Sequence, residues 1–303
     1  MQRRAAYQTD HTSLMTARLH LLMALFCALG SLPGFAGDLP TTDIEYGNVD
    51  GLPLKLDLYL SQTKAQPLIV YVHGGAWRGG SKSHPPILAL QQQGFAIASV
   101  DYRLSTEAPF PAQVHDIKAA IRFLRAQASV YGYDASRIGI IGTSAGGHLA
   151  ALVGVTNESK ELEGSVGGHL DQSSTVQCTV SLFGASNLQT ILSQSTEQGL
   201  KMRVPALQLL LGGQPTEKPD LAKLASPVAH LDPKDPPLLL VHGDADPQMP
   251  PEQSVELAKG YAALKLSVQH VVIPGGKHGG PEFFDADRIG LMAGFFQAHL
   301  HKP

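Results

Sequence analysis

The stretch Ile138–Gly147, which reads IGIIGTSAGG, decides the fold of this chain. An apolar run ends at Ile141, the pentapeptide Gly142–Gly146 follows it directly, and a stretch of helical character comes next. A strand, a G-x-S-x-G turn and a helix in this order form a nucleophile elbow. The glycines permit a turn so sharp that the Oγ atom of Ser144 is raised above the sheet. The pentapeptide alone is weak evidence, but its position predicts that Ser144 is a nucleophile.

Short apolar runs occur on both sides of this motif and alternate with helical stretches. They are nearly continuous in hydrophobic residues, as is typical of strands buried on both faces of a parallel sheet. Residues 111–131 carry one apolar helical face. The segment Lys55–Leu60 alternates with period two, so we expect a half-exposed antiparallel strand at the sheet edge. The sequence therefore predicts an α/β fold with a mostly parallel central sheet, an antiparallel N-terminal edge and helices on both faces. The buried runs are Leu68–Val72, Ala96–Val100, Ile138–Ile141, Val180–Phe183 and Leu238–Val241.

Residues 38–303 are predicted to form a single domain, because no internal repeat, charge run or proline-rich linker divides them. Between about residues 188 and 230 the alternation of strands and helices is interrupted by Gln, Ser, Lys and Pro around the apolar run Leu207–Leu211. A small helical insertion over the upper edge of the sheet explains this pattern. We expect it to act as a lid that shapes the substrate pocket.

Residues 1–37 have the pattern of a secretory signal peptide. Arg18 precedes the apolar run Leu21–Leu29, and Gly34–Ala36 supplies the small residues that signal peptidase prefers. The run is far shorter than the roughly 20 residues that span a bilayer, so we expect no stable membrane span, although an uncleaved anchor stays open. Met15 is a candidate for the true start, and a frayed helix packed on the domain is the competing interpretation. We expect a secreted or periplasmic protein.

The composition limits the kinds of partner. The 303 residues are 43% hydrophobic, which is ample for a large core, and the net charge is −3. This charge provides no basic surface for nucleic acid or anionic lipid, so we expect a small-molecule or carbohydrate-linked substrate. No residues have metal-ligand spacing and no dinucleotide fingerprint is present, so the sequence implies neither a metal nor another cofactor. Cys178 lies in an apolar run and is predicted to be a buried structural thiol. The oligomeric state stays open.

The segment His73–Trp77 follows an apolar run and supplies a candidate oxyanion hole. Its small residues Gly74, Gly75 and Ala76 leave their backbone N–H groups unobstructed, and with the N–H of Ala145 they would bind the negative charge that develops on an ester carbonyl. A glycine-rich phosphate loop is the competing interpretation. It fails on spacing, because such a loop needs Lys directly after its last glycine, whereas a serine intervenes here before Lys82.

A base and an acid are also required, and hydrolases of this type supply them after the serine in the order acid, then histidine. Asp246 lies just beyond the run Leu238–Val241, and His278 lies in a glycine-rich loop after the predicted strand Leu266–Ile273. Each is at the carboxyl end of a strand, where open α/β sheets place their sites. Asp244 is the competing acid. We expect it to accept backbone hydrogen bonds within its turn instead, since the acid must reach the far side of the imidazole.

These motifs resemble those of the hormone-sensitive-lipase-like esterases, which have the α/β-hydrolase fold. Within that group, residues 162–177 and Asp246–Pro250 are more similar to the bacterial feruloyl and acetyl-xylan esterase-like branch. The resemblance runs from about Leu52 to the end of the chain and implies a serine esterase. Two positions depart from the pattern: Thr143 stands where the lipase group often has an acidic residue, and Asn187 where the branch usually has Asp. The motifs of the wider group are His73–Trp77, Val100–Leu104, Pro109–Pro111 and Gly142–Gly147.

The residues and the resemblance together lead to one hypothesis, a serine carboxylesterase that hydrolyses short-chain acyl or aryl esters through an acyl-enzyme. An arylformamidase is the alternative, since such enzymes also carry a His-Gly-Gly-x-Trp loop, but they are usually cytoplasmic and the export signal argues against it. The non-enzyme alternative is a catalytically silent binding protein of the same fold. Such proteins typically lack a triad member, whereas this chain has all three. Acyl chain length and the alcohol part stay open.

Overall fold

The computed structural model describes residues 40–60 and 63–300, so the predicted signal peptide, residues 1–37, lies outside the described residues. All described residues belong to one compact unit. Whether the whole chain divides as expected stays a prediction. The described strands are β1 (Thr41–Val49), β2 (Leu52–Tyr59), β3 (Pro67–Val72), β4 (Ala96–Val100), β5 (Asp134–Thr143), β6 (Cys178–Leu182), β7 (Leu238–Gly243) and β8 (Val268–Ile273).

These strands form one eight-stranded sheet in the order β1-β2-β4-β3-β5-β6-β7-β8. The first two pairings, β1 with β2 and β2 with β4, are antiparallel. Every other pairing is parallel. The central strands β3, β4, β6 and β7 and the second half of β5 are buried almost throughout, which is why they appear in the sequence as continuous apolar runs. The predicted α/β-hydrolase architecture, with an antiparallel N-terminal edge, is confirmed.

One detail of the predicted antiparallel edge was wrong, namely which strand lies at the edge of the sheet. The segment Lys55–Leu60, expected at the sheet edge, lies mostly in β2, which has β1 on one side and β4 on the other. Its alternation reflects two different faces: Leu56 and Leu58 are buried in the core, while Lys55 is partly exposed. The true edge strand β1 is largely polar and exposed and has two register irregularities, so it lacks the alternation that would have predicted it.

Helices cover both faces of the sheet. The longest, α1, matches the predicted amphipathic segment and buries Val114, Ile117 and Ile121 in the core. The C-terminal helix α8 packs Phe296 into a second apolar cluster, which also contains Cys178. Cys178 is fully buried, as predicted, and burial raises the pKa of its thiol. The helices are α1 (Ala112–Tyr131), α2 (Ala145–Gly154), α3 (Lys160–Glu163), α4 (Ile191–Gln194), α5 (Glu197–Leu211), α6 (Pro219–Leu224), α7 (Glu252–Ala263) and α8 (Ala286–His299).

The segment between β6 and β7 forms the lid. It contains α4, α5, α6 and a short 3₁₀ turn, Pro227–Ala229, in the region where the sequence predicted a helical insertion. The N-terminus of α5 is capped by Thr196, whose Oγ1 accepts the N–H of Gly199 at 3.0 Å. Near the other end of α5, the carbonyl of Leu210 accepts the N–H of Phe110 at 2.8 Å and ties the lid to the loop before α1. Within the described part of the chain, no helix is long and apolar enough to span a bilayer.

Candidate active site

The predicted nucleophile elbow is formed at the junction of β5 and α2. Ser144 lies between these two elements with φ = 55° and ψ = −118°, a strained backbone conformation for a residue with a side chain. A Cβ atom on Gly142 would lie 2.1 Å from the carbonyl oxygen of Gly146, and one on Gly146 would lie 2.1 Å from the carbonyl oxygen of Val72. Only glycine fits at either position, so the turn keeps Ser144 at the carboxyl end of the sheet.

The three residues predicted as a triad are brought together, although they come from three different loops. The Oγ of Ser144 lies 2.8 Å from Nε2 of His278. On the other side of the imidazole, Nδ1 of His278 lies 2.7 Å from Oδ2 of Asp246. Because the carboxylate can only accept, Nδ1–H donates to Asp246, and this tautomer leaves Nε2 free to accept the Ser144 hydroxyl proton. The His278 side chain is 10% exposed, and that of Asp246 is fully buried.

Asp246 is held in its ionised form by several donors. Its Oδ1 accepts the backbone N–H groups of Gln248 at 2.8 Å and Met249 at 2.9 Å. Its Oδ2 lies 3.3 Å from Nε2 of His242, in addition to the bond from His278. Burial alone would raise the pKa of Asp246, but the hydrogen bonds from His242 and His278 outweigh it and hold the pKa well below its usual range. The carboxylate is therefore charged at any pH near neutrality.

His242 is a residue of the site that the sequence did not predict. It lies in β7, four residues before Asp246, and its Nδ1 is 2.7 Å from the Oγ of Ser254. The side chain is buried, and it approaches the same oxygen of Asp246, Oδ2, that His278 contacts. Its place at the start of the segment His242–Asp246, which also contains the predicted acid, was the available signal in the sequence.

Asp244 does not belong to the trio, in agreement with the expectation of a structural role. Its Oδ1 accepts the N–H of Gly275 at 2.7 Å, and the N–H of Ala245 donates to the carbonyl of Gly276 at 3.0 Å. These bonds run to the loop that carries His278 and not within the turn of Asp244 itself. Asp244 therefore connects the loop of the acid to the loop of the histidine.

The four residues predicted as an oxyanion hole surround Ser144. Gly75 and Ala76 line the same cavity as Ser144, and both have positive φ angles, 108° and 54°. Gly74 packs so tightly that a Cβ atom would lie 2.9 Å from the carbonyl oxygen of Thr143 and 3.3 Å from the Cβ of Ser144. Ala145, the first residue of α2, is fully buried behind the nucleophile. The unusual turn of the loop places its backbone beside the serine, as an oxyanion hole requires.

Two buried side chains hold this loop in place. Nδ1 of His73 is 2.8 Å from the carbonyl of Gly74, and its ring stacks on Tyr102 with 4.3 Å between centroids. Trp77 is fully buried and donates its Nε1–H to Nδ1 of His148 at 3.0 Å, while Nε2 of His148 is 2.6 Å from the carbonyl of Ala225. The loop is thereby bonded to α2 and to the end of the lid.

A cavity of about 350 Å³ opens above Ser144. Phe183 contacts the imidazole of His278 edge-on at 5.0 Å between centroids. The lid contributes Met202 and Arg203 from α5. None of these side chains was predicted, and neither departure from the family pattern, Thr143 or Asn187, lines the cavity. The cavity is lined by Gly75, Ala76, Arg78, Ser144, Phe183, Met202, Arg203, Gln248 and His278.

A larger cavity, of about 720 Å³, lies between β1 and residues 165–169; Ser165 and His169 are among its lining residues, but none of the predicted site residues is. We therefore place the candidate site at Ser144. Among residues 40–60 and 63–300, no group of three or more His, Cys, Asp or Glu side chains is arranged to hold a metal ion.

Comparison with known proteins agrees with this geometry. The family model described as BD-FAE matches residues 56–261. Esterase LipC of Mycobacterium tuberculosis is 30% identical over 236 residues, which are 76% of this chain and 57% of LipC. The chain thus spans a little over half the length of the curated relatives that it matches.

Solved structures match over a larger share of their length. A truncated carbohydrate esterase from gut microbiota is 35% identical with a TM-score of 0.78, covering 87% of this chain and 97% of that one. Thermogutta terrifontis esterase 2 phosphonylated by sarin is 26% identical with a TM-score of 0.72, covering 86% and 96%. These relatives confirm the resemblance to esterases of the α/β-hydrolase fold that the motifs indicated.

Proposed function

The chain belongs to the BD-FAE family, and from this membership and the site geometry we propose that it is a serine carboxylesterase of short-chain acyl or aryl esters. The observation that carries the proposal is the hydrogen-bonded chain from Ser144 through His278 to Asp246, with heavy-atom distances of 2.8 Å and 2.7 Å. Distances of this size suit a nucleophile, its base and the group that orients the base.

In the first half of the proposed reaction, Ser144 Oγ attacks the carbonyl carbon of the ester while Nε2 of His278 takes the hydroxyl proton. The charge that appears on the carbonyl oxygen is stabilised by backbone N–H groups of the predicted oxyanion hole, which consists of Gly74, Gly75, Ala76 and Ala145. Asp246, ionised and fully bonded, stabilises the imidazolium and keeps the ring oriented. The same proton is then given to the departing alcohol, which leaves an acyl group on Ser144.

In the second half, a water molecule replaces the alcohol. Nε2 of His278 accepts a proton from the water, whose oxygen attacks the acyl carbon, and the proton is returned to Ser144 Oγ as the carboxylic acid leaves. Both halves use one base and one oxyanion site, so no metal or organic cofactor enters the proposed steps.

We propose small-molecule or carbohydrate-linked esters as substrates. The cavity of about 350 Å³ is near the small end of the range for ligand pockets, roughly 300–1,000 Å³. A carbohydrate esterase is among the similar structures. A small cavity favours a short or aryl acyl group over a long alkyl chain.

A hydrolysis panel tests the proposal. It contains p-nitrophenyl esters from acetate to palmitate, methyl ferulate, acetylated xylan and N-formylkynurenine, each assayed with wild type and with Ser144→Ala. We expect ester turnover that is lost in the variant. Hydrolysis of N-formylkynurenine alone would replace the proposal with the arylformamidase alternative, and no turnover of any compound would favour a binding protein.

We also propose that the protein is exported, on the strength of Arg18, the apolar run Leu21–Leu29 and the small residues Gly34–Ala36. In a Gram-negative host, mature protein is expected outside the cytoplasm with its N-terminus near Gly37. Mass spectrometry of the periplasmic and cytosolic fractions tests this. An intact N-terminus found only in the cytosol would contradict export.

A further inference from the structure

Arg203 is a buried cation in the wall of the candidate active site. It lies in α5 of the lid, is 1% exposed, and lines the same cavity as Ser144 and His278. Its guanidinium carbon lies 5.8 Å from the centre of the Trp77 ring, close enough for a cation–π contact. The charged end of Arg203 is therefore held against the same tryptophan that holds the oxyanion loop.

Two of the three guanidinium nitrogens of Arg203 make no hydrogen bond. Nε and Nη1 are buried and have no hydrogen-bond partner, and no described residue forms an ion pair with this side chain. Burial lowers the pKa of Arg203 to about 10, so the group is still charged at neutral pH. A buried charge without a partner is strongly unfavourable, and such charges in proteins are normally paired. The free enzyme thus holds donors that are suited to an acceptor from outside the chain.

The nearest carboxylate does not supply that acceptor. Asp246 attracts Arg203 electrostatically, but the two do not form an ion pair. Both oxygens of Asp246 are already bonded, Oδ1 to the backbone N–H groups of Gln248 and Met249, and Oδ2 to His278. Using Asp246 as a partner for Arg203 would break the bond that orients the base.

The rest of the cavity has the same sign of charge. Arg78 also lines it and makes only a 3.6 Å contact from Nη2 to the sulfur of Met202. No Asp or Glu is among the lining residues. The chain as a whole has a net charge of −3, whereas this cavity carries two positively charged guanidinium groups.

We propose that Arg203, with Arg78 beside it, binds an ionised carboxylate on the substrate, so that the preferred substrates are esters that carry a second, free carboxylate group. A guanidinium presents a planar fork of donors that matches the two oxygens of a carboxylate. The inference rests on the proposed esterase function and names its substrate class. The free carboxylate lies on the acyl side or the alcohol side of the cleaved bond, and the test includes both.

The test compares ester pairs that differ only in carboxylate or carboxamide. Monomethyl adipate and methyl adipamate form the acyl-side pair, and 4-acetoxybutanoate and 4-acetoxybutanamide form the alcohol-side pair. The measured quantity is the ratio of kcat/KM for the carboxylate to kcat/KM for the amide. Hydrogen bonds to charged groups predict that wild type prefers the carboxylate by about tenfold to a hundredfold in at least one pair.

Three variants assign the preference to Arg203. Arg203→Met keeps an unbranched side chain over Trp77 and is expected to bring the ratio close to one. Arg203→Lys keeps the charge without the fork and should retain part of the preference. Lys201→Met removes an equal charge from the same helix at a position whose side chain is 76% exposed, and it should leave the ratio unchanged.

The outcomes separate this inference from the proposed function. If wild type hydrolyses the amide-bearing esters as fast as the carboxylates in both pairs, the esterase function stands and the carboxylate subsite is wrong. The subsite is equally wrong if folded Arg203→Met, or Arg203→Lys where the Met variant does not fold, keeps the full wild-type preference. If neither these pairs nor the p-nitrophenyl esters are hydrolysed, the esterase proposal itself fails.

Discussion

The cavity above Ser144 has two walls that differ in how their polar atoms are bonded. On the wall formed by the strand ends, His278 and Asp246 have bonded partners at 2.7 and 2.8 Å, and Asp246 is bonded at both oxygens. On the wall formed by α5, Arg203 is just as buried, but its Nε and Nη1 have no hydrogen-bond partner. The comparison suggests a division of roles. The strand wall is complete before substrate arrives and suits fixed chemistry, whereas the lid wall is completed by the substrate.

The largest expected effect concerns the two aspartates of the strand wall. In Asp246→Asn, the amide oxygen still accepts from Gln248 and Met249, so the fold and the melting temperature should be retained. The His278 tautomer is no longer fixed, and turnover should fall by about 10⁴-fold. Esterase kinetics with thermal melting measure both.

Asp244→Asn is the matched control. Its amide oxygen can still accept the N–H of Gly275, so the bond between the two loops is kept and turnover should stay within about tenfold of wild type. If Asp244→Asn were nearly inactive and Asp246→Asn active, the acid would be misassigned.

Glycine substitutions compare the rigidity of the two walls. Gly142→Ala places a Cβ atom 2.1 Å from the backbone of Gly146, which no side-chain movement relieves, and should cost about 3 kcal/mol or more of unfolding free energy. In the lid, Gly199→Ala meets its nearest atoms at 3.2 and 3.3 Å. A gain in helix propensity of about 1 kcal/mol offsets this crowding, so its stability should be within about 1 kcal/mol of wild type. Urea unfolding measures the free energy of unfolding of both variants. Equal losses in the two variants would contradict the difference in rigidity between the walls.

A pH effect of intermediate size is expected at His148, which joins the two walls through Trp77 and Ala225. Burial lowers the pKa of His148 from 6.5 to about 4. Between these values the unfolded state binds more protons, so the stability contributed by neutral His148 is complete above pH 6.5 and is lost as the pH falls to 4. A shift of this size corresponds to roughly 3 kcal/mol.

His148→Gln isolates this contribution, because burial also lowers the pKa of His73, His115 and His270. Those histidines remain in the variant. The difference in unfolding free energy between wild type and His148→Gln should therefore shrink by up to roughly 3 kcal/mol from pH 7 to pH 4. A difference that does not change with pH would show that His148 is not held neutral.

The smallest expected effect is in the preference of the enzyme for acyl chain length, which depends on the lid wall. With a cavity of about 350 Å³, wild type should hydrolyse p-nitrophenyl butyrate faster than the palmitate, by roughly tenfold. Met202→Ala removes a lid side chain that lines the cavity and should narrow that gap. Faster hydrolysis of palmitate by wild type would mean that the lid encloses a longer tunnel.

The catalytic residues of the strand wall could be predicted from the sequence, whereas for the lid wall only the helical insertion could be, and not the side chains that line the cavity. Ser144 and Asp246 each follow an apolar run that marks a buried strand, and His278 follows the last predicted strand, Leu266–Ile273. Local patterns therefore place all three at the carboxyl edge of one sheet. Arg203 follows no such signal, because an arginine in a helix is usually solvated. It lies four residues before Leu207 and three before Ala206, on the buried face of α5, and an arginine within an apolar stripe was the available signal.

Two other features, the edge strand β1 and the contact of His242 with Asp246, were not predicted from the sequence for a different reason. β1 is polar, exposed and irregular, and its position depends on pairing with β2 and not on its own pattern. His242 lies at the end of a buried strand, where an imidazole has no sequence feature that separates a packed side chain from a bonded one. Both depend on tertiary contacts, which a single sequence does not reveal.

The most direct test of the central claim is labelling with a fluorophosphonate, since a related esterase is phosphonylated by sarin. We expect one covalent adduct, found by peptide mass spectrometry on Ser144, and no labelling of Ser144→Ala. Turnover in that variant should fall by about 10⁴-fold or more, because triad members act as a unit. An adduct on another residue, or undiminished labelling of Ser144→Ala, would contradict the assignment of Ser144 as the nucleophile.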